Sequence, residues 1–139
     1  MKTVLLTIAA VIVGLIVLFV HVVAVELFSN VVHPFPKDFG GTIEEVCQHV
    51  TRYPPWVLAV VVPAWAVAAF VSSWTARKIG NSVASTIVGL ILLAALAYNL
   101  SMLPYPTWFR VANLIVIPTA LVASNRLWIK ARSKKHEGT

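Results

Sequence analysis

Charge is scarce in this sequence. Only 12% of its 139 residues are Asp, Glu, Lys or Arg, and five of those are acids, whereas a soluble domain carries about a quarter. So few charged side chains cannot coat a compact globule in water. Disorder is excluded by the 59% hydrophobic content, because disordered chains combine low hydrophobicity with high charge. Eight prolines and six glycines are too few for a fibrous or low-complexity chain. Cysteine is nearly missing: Cys47 stands alone, which excludes an intramolecular disulfide, and no zinc-ligand spacing is present. There is no Ser-His-Asp order, no phosphate loop and no dinucleotide fingerprint.

Apolar sequence fills the space these absences leave. A bilayer crossing needs roughly 20 apolar residues, and four runs qualify, at about 4–28, 56–74, 82–103 and 108–129. The first follows Lys2, and Val22-Val23-Ala24 imitates a weak signal cleavage site. A secretory apolar core is only about 7–15 residues long, so this run is read as a retained first span. Pro63 predicts a kink in the second span, and Pro118 lies within the fourth; membrane helices accept proline where neighbours satisfy the freed carbonyl. Residues 75–81 allow only a tight hairpin, and Pro104-Tyr105-Pro106 a rigid turn.

The one long connection is 29–55. His33-Pro34-Phe35-Pro36 resists helix there, and Gly40-Gly41 breaks the chain. Thr42-Ile43-Glu44-Glu45 then reads as a capping box, with Ile43, Val46, Cys47 and Val50 along one face. This predicts a short amphipathic helix lying on the membrane surface or against the spans. The expected fold is a single all-α integral membrane domain over 1–139: a bundle of four transmembrane helices, a short amphipathic helix in the first outer loop, and a mobile basic tail at 130–139.

The net charge of +6 gives an orientation. One side receives Lys2, Arg77, Lys78, Arg126, Lys130, Arg132, Lys134 and Lys135; the other receives Lys37, Arg52 and Arg110. Eight against three places both termini in the cytoplasm by the positive-inside rule, with the 29–55 loop outside. Trp56, Trp74, Trp108 and Trp128 bracket spans two and four as an interfacial aromatic belt would. No folded basic module is present, so no nucleic-acid partner is expected. No cofactor is expected either.

Tyr53-Pro54-Pro55-Trp56 opens the second span and Tyr105-Pro106-Thr107-Trp108 the fourth. Each span then holds one proline and ends at a tryptophan. This echo fits either a duplicated hairpin or the general frequency of Tyr and Trp at interfaces. Taken with Val25-Glu26, the Pro34–Asp38 run and Leu103-Pro104-Tyr105-Pro106-Thr107-Trp108-Phe109, it resembles a group of small bacterial four-span inner-membrane proteins. The resemblance covers most of the chain on short motifs. It implies a bacterial inner-membrane setting and carries no activity with it.

Few residues can carry chemistry. Glu26 is an acid at the end of an apolar span, and such acids need pairing or water. Arg110 enters at the same level with opposite charge, and Asn99 and Asn113 bring amides, so Glu26, Asn99, Arg110 and Asn113 are candidates for a polar or ligand-binding site, with His21 as a fifth. His21 lies about 7.5 Å deeper on a different face. It suits a histidine bonded to a neighbouring helix, and no second intramembrane histidine exists to form a bis-His haem site. Glu45 and His49, at i and i+4, form a weak metal pair that His33 could extend. The basic stretch of Arg126, Lys130, Arg132, Lys134 and Lys135 is either an orientation signal or a binding site for anionic lipid or an acidic partner. Two small-residue seams, Ala64/Ala68/Ser72 and Ser85/Gly89, allow close helix approach and so a homo-oligomer or a membrane partner. Three functions are compatible with these features. The chain is a non-enzymatic structural or accessory protein, an oligomeric transporter or channel component using breaks at Pro63 and Pro118, or an outer-face ligand or metal site on Glu26, His49, Asn99 and Arg110.

Overall fold

In the computed structural model, the backbone is described for residues 2–137 and side chains as far as residue 131. Five helices form: α1 (Lys2–Val32), α2 (Ile43–Thr51), α3 (Pro55–Ile79), α4 (Ser82–Met102) and α5 (Thr107–Glu137). There is no strand among the described residues. Four of the helices, Lys2–Val32, Pro55–Ile79, Ser82–Met102 and Thr107–Ala131 within α5, are long and apolar enough to cross a membrane.

Local sequence explains the boundaries. Pro55 opens α3 at its first turn, where a missing N–H costs nothing. Asn81 caps α4 by accepting from the Ala84 amide at 3.1 Å. The Thr42 cap of α2 forms as the sequence indicates: the Glu45 amide donates to Thr42 Oγ1 at 3.3 Å, and the Glu45 carboxylate accepts the Thr42 amide at 3.0 Å. Three helices outrun their apolar cores. α1 continues to Val32 and α3 to Ile79, so only Gly80 and Asn81 join α3 to α4. α5 runs to Glu137 where a mobile tail was expected. Residues 119–137 hold neither glycine nor proline, and the Ala, Arg and Lys of that stretch favour helix. α3 and α5 are continuous across Pro63 and Pro118.

α3 is the hub. It packs against α1, α4 and α5, while α1 also meets α4 and α5 touches α4 lightly. The α1 and α5 backbones do not come together among the described residues. Leucines and valines of α3 and α4 (Val57, Leu58, Val61, Leu92, Leu96, Leu100) join Phe109, Ile117 and Leu121 of α5 in the main core. A second contact near the α3–α4 hairpin uses small residues: Ala10, Ala76, Ala84 and Val88. Backbones come very close there. A Cβ built on Gly14 would lie 2.9 Å from Ala76 Cβ and from Val88 Cγ2, and one on Gly80 would lie 2.6 Å from Ala10 Cβ. Without a hydrophobic drive between helices in lipid, such close van der Waals contact and interhelical hydrogen bonds hold spans together.

The small-residue seams belong to this interior. Ala68, Ser72, Ser85 and Gly89 are buried within the single chain, and Ala64 is half-buried. Ser72 faces Gly14 of α1, Ser85 faces Ser73 of α3, and Gly89 faces Leu121 of α5, so these positions serve packing within the chain.

Candidate functional site

The end of the molecule that carries α2 and the α4–α5 turn (the loop end) encloses a small polar cavity of about 40 Å³. Ser29 of α1, Tyr53, Trp65 of α3, Asn99 of α4, Tyr105 of the α4–α5 turn and Asn113 of α5 line it with Leu58, Val61, Leu96, Leu100 and Phe109. Asn113 is the key side chain. It is 1% exposed; its Nδ2 donates to the Phe109 carbonyl one turn back at 2.9 Å, and its Oδ1 is buried with no partner. Burial pushes the Tyr53 hydroxyl above its ordinary range against a weaker opposing hydrogen bond with Ser29. Burial, followed by repulsion from Tyr53 and Glu26, pushes Tyr105 up to about 12. Both phenols stay protonated and line the same cavity as the unpaired Asn113 Oδ1. A volume of this size suits ordered water, which takes about 30 Å³ per molecule in the liquid, and is well below the roughly 300 Å³ of a small-molecule pocket.

Of the candidates for a polar site, Asn99 and Asn113 meet here. Glu26 stands beside the cavity on the exposed side of α1, close enough to act on both tyrosines. It makes no ion pair with Arg110. Arg110 Nη2 donates to the Leu103 carbonyl at 3.0 Å, because carbonyls at the end of α4 have no partner within the helix, and its Nε is buried and unpaired. His21 is satisfied locally: Nδ1 lies 2.8 Å from the Val17 carbonyl, a bond the Nδ1–H tautomer donates. It reaches no neighbouring helix.

The metal trio does not assemble. Among the described residues no group of three or more His, Cys, Asp and Glu side chains could hold a metal ion. The Glu45 carboxylate is occupied by the cap, accepting from the Thr42 amide and hydroxyl and from the Gly40 amide. Those bonds hold its pKa below the usual carboxylate range, the Thr42 amide contributing most. His33 and His49 stack with ring centroids 4.3 Å apart. Phe35 stacks on His49 at 4.1 Å and Tyr53 meets its edge at 5.3 Å. This aromatic pile holds α2 against the segment that follows α1. Burial, then the neighbouring His33, lowers the His49 pKa, so the stack favours neutral imidazole. Cys47 donates weakly to the Met102 carbonyl at 3.9 Å, a packing contact with α4. Of the basic stretch, Arg126 and Lys130 are exposed, and the side chains of Arg132, Lys134 and Lys135 lie outside the described residues.

A polar knot at the opposite (hairpin) end was missed by sequence reading. Ser124 Oγ donates to Ser73 Oγ at 3.1 Å, Ser73 pairs with Ser85 at 2.7 Å, and Ser85 donates to Asn125 Oδ1 at 3.2 Å. Ser124 Oγ also lies 2.8 Å from the Leu121 carbonyl, so its one proton is shared between that carbonyl and Ser73 Oγ. Arg77 Nη1 donates to the same Asn125 Oδ1 in a short bond, and Asn125 Nδ2 donates to the Leu121 carbonyl at 3.2 Å. The knot ties α3, α4 and α5. Its signal was the set of polar residues at matching distance from the hairpin (Ser73 and Arg77, Ser85, Ser124 and Asn125), which small-residue spacing alone does not separate from packing seams.

No model of a known protein family matches the chain, and no curated protein or solved structure matches it.

Proposed function

We propose that this chain is a non-enzymatic, multi-pass membrane protein that works by associating with a membrane partner. We place it in a bacterial inner membrane with both termini in the cytoplasm, on the resemblance and on the eight-to-three division of basic residues. The observation that carries the reading is the outer face of α1, the candidate span least covered by the rest of the chain. Ile8, Ile12, Ile16, Phe19, Val23 and Leu27 form an exposed apolar stripe along the helix, opposite the packed Ala10, Gly14 and Ser29. α1 is also 31 residues long, or about 46 Å, which exceeds a hydrocarbon core of about 30 Å. Support comes from the interior, where the polar side chains of α3, α4 and α5 fasten the helices to each other.

The test is photo-crosslinking in native membranes, with a photoreactive residue at Phe19 or Leu27 and, for comparison, at Leu114 on α5. The reading expects a discrete protein adduct from the α1 positions and none from Leu114. Lipid adducts alone at all three positions would overturn it.

A further inference from the structure

At the hairpin end a second, larger cavity of about 350 Å³ opens between Arg77, Lys78, Gly80, Asn81, Ser82 and Trp128. Its charge is unbalanced. Arg77 is half-buried and held in place by Asn125, a neutral amide that balances none of its charge; its Nε is buried without a partner. Lys78 is exposed beside it. Four of the chain's five acids, Glu26, Asp38, Glu44 and Glu45, lie at the loop end, and among the described residues no carboxylate approaches Arg77. A guanidinium taken partly out of water and fixed in place favours a counter-anion. Asn81 is already engaged, donating to Thr7 Oγ1 at 2.8 Å and accepting from the Ala84 amide, which holds the hairpin wall rigid.

We infer that this cavity binds the phosphate headgroup of an anionic phospholipid, with Arg77 and Lys78 as its cationic ligands. The shared chemistry is a phosphate oxyanion, and the surroundings favour a lipid over free phosphate. The cavity sits where the apolar lengths of α3 and α4 end, Trp128 forms one wall, and Ile79, Val83 and Leu127 expose apolar surface around it, against which acyl chains can lie. Basic pockets between spans on the cytoplasmic side are suited to anionic headgroups. The inference rests on the membrane-spanning reading but not on a protein partner, so failure of the crosslinking experiment leaves it standing.

The experiment uses the full chain purified in neutral detergent, with lipid affinity followed by native mass spectrometry. The probes are phosphatidylglycerol, phosphatidylcholine and inorganic phosphate. Phosphatidylglycerol is expected to bind at least tenfold more tightly than phosphatidylcholine, and millimolar phosphate is expected not to displace it. Lys78→Gln, at an exposed position, is expected to weaken phosphatidylglycerol binding about fivefold, the effect of one basic residue near an anionic surface. Arg77→Gln should abolish the preference but also disturbs the polar knot. Asn125→Asp resolves that ambiguity: it gives up the bond to the Leu121 carbonyl but keeps the acceptor for Arg77 and Ser85, cancels the charge, and is expected to remove the preference with Arg77 still held. Lys37→Gln, at the loop end, should bind like the wild type. Equal affinity for the two lipids, or an unchanged preference in both Lys78→Gln and Asn125→Asp, would overturn the site. Displacement by millimolar phosphate would overturn the assignment to lipid.

Discussion

Asn125 and Gly80 show how much of this molecule depends on single side chains at the hairpin end. Asn125 Oδ1 accepts from both Arg77 and Ser85. Asn125→Leu removes that acceptor and leaves two interior donors unpaired, a loss of about 1–3 kcal/mol, which a lowered midpoint of thermal unfolding in detergent would record. Gly80 permits the closest approach in the fold, and Gly80→Ala would set a methyl 2.6 Å from Ala10 Cβ. Overpacking of this kind costs roughly 1–3 kcal/mol. Because one opposing methyl causes most of the clash, Ala10→Gly in the same chain should restore much of the loss, giving a coupling energy in a double-mutant cycle; additive losses would contradict the geometry. These residues were only partly legible in the sequence. Ser85 reads as small but not as a donor, and Arg110 reads as a partner for Glu26 because charge sign is visible in a sequence, while the Leu103 carbonyl that the Tyr105 turn brings to Arg110 is not. Asn99 and Asn113 line one cavity, a meeting that their common depth in the sequence permits without requiring.

Helix α2 is the element whose behaviour should depend on pH. Its cap and boundaries were readable because a capping box is local, with both partners within four residues. Its docking was not readable, because the His33–His49–Phe35 stack joins residues separated by a loop of unknown path. Burial lowers the His49 pKa, so the folded arrangement binds fewer protons than the free histidine. The docking contribution is therefore fully present above the ordinary histidine pKa of about 6.5 and is lost as pH falls below it toward the depressed folded value. The protection of α2 amides, referred to the intrinsic exchange rate at each pH, should fall over that window. His49→Phe should keep the stack and flatten the response there, leaving only the Glu45 titration at lower pH. A wild-type profile that is flat between pH 7 and 5 would contradict this account of docking. The long helices followed a different rule. Their existence was plain from four apolar runs, whereas α1, α3 and α5 outran those runs because helical hydrogen bonding continues through polar residues until a glycine, a proline or a cap ends it.

At the scale of the whole molecule, apolar stripes face outward and polar groups collect at two ends. The loop end holds a water-sized cavity under two protonated tyrosines, and the tyrosines of the sequence echo, Tyr53 and Tyr105, line that same cavity. The hairpin end holds uncompensated positive charge. This polarity is what the proposed orientation rests on, and both the lipid site and the partner-binding face presuppose it. Accessibility of two engineered cysteines in a Cys47→Ser chain tests it most directly. Asp38→Cys lies in the loop and Lys78→Cys at the α3–α4 hairpin, both at exposed positions. With a membrane-impermeant maleimide on intact cells, the account predicts labelling of Asp38→Cys at once and of Lys78→Cys only after permeabilisation. Labelling of both from outside, or the reverse order, would contradict it.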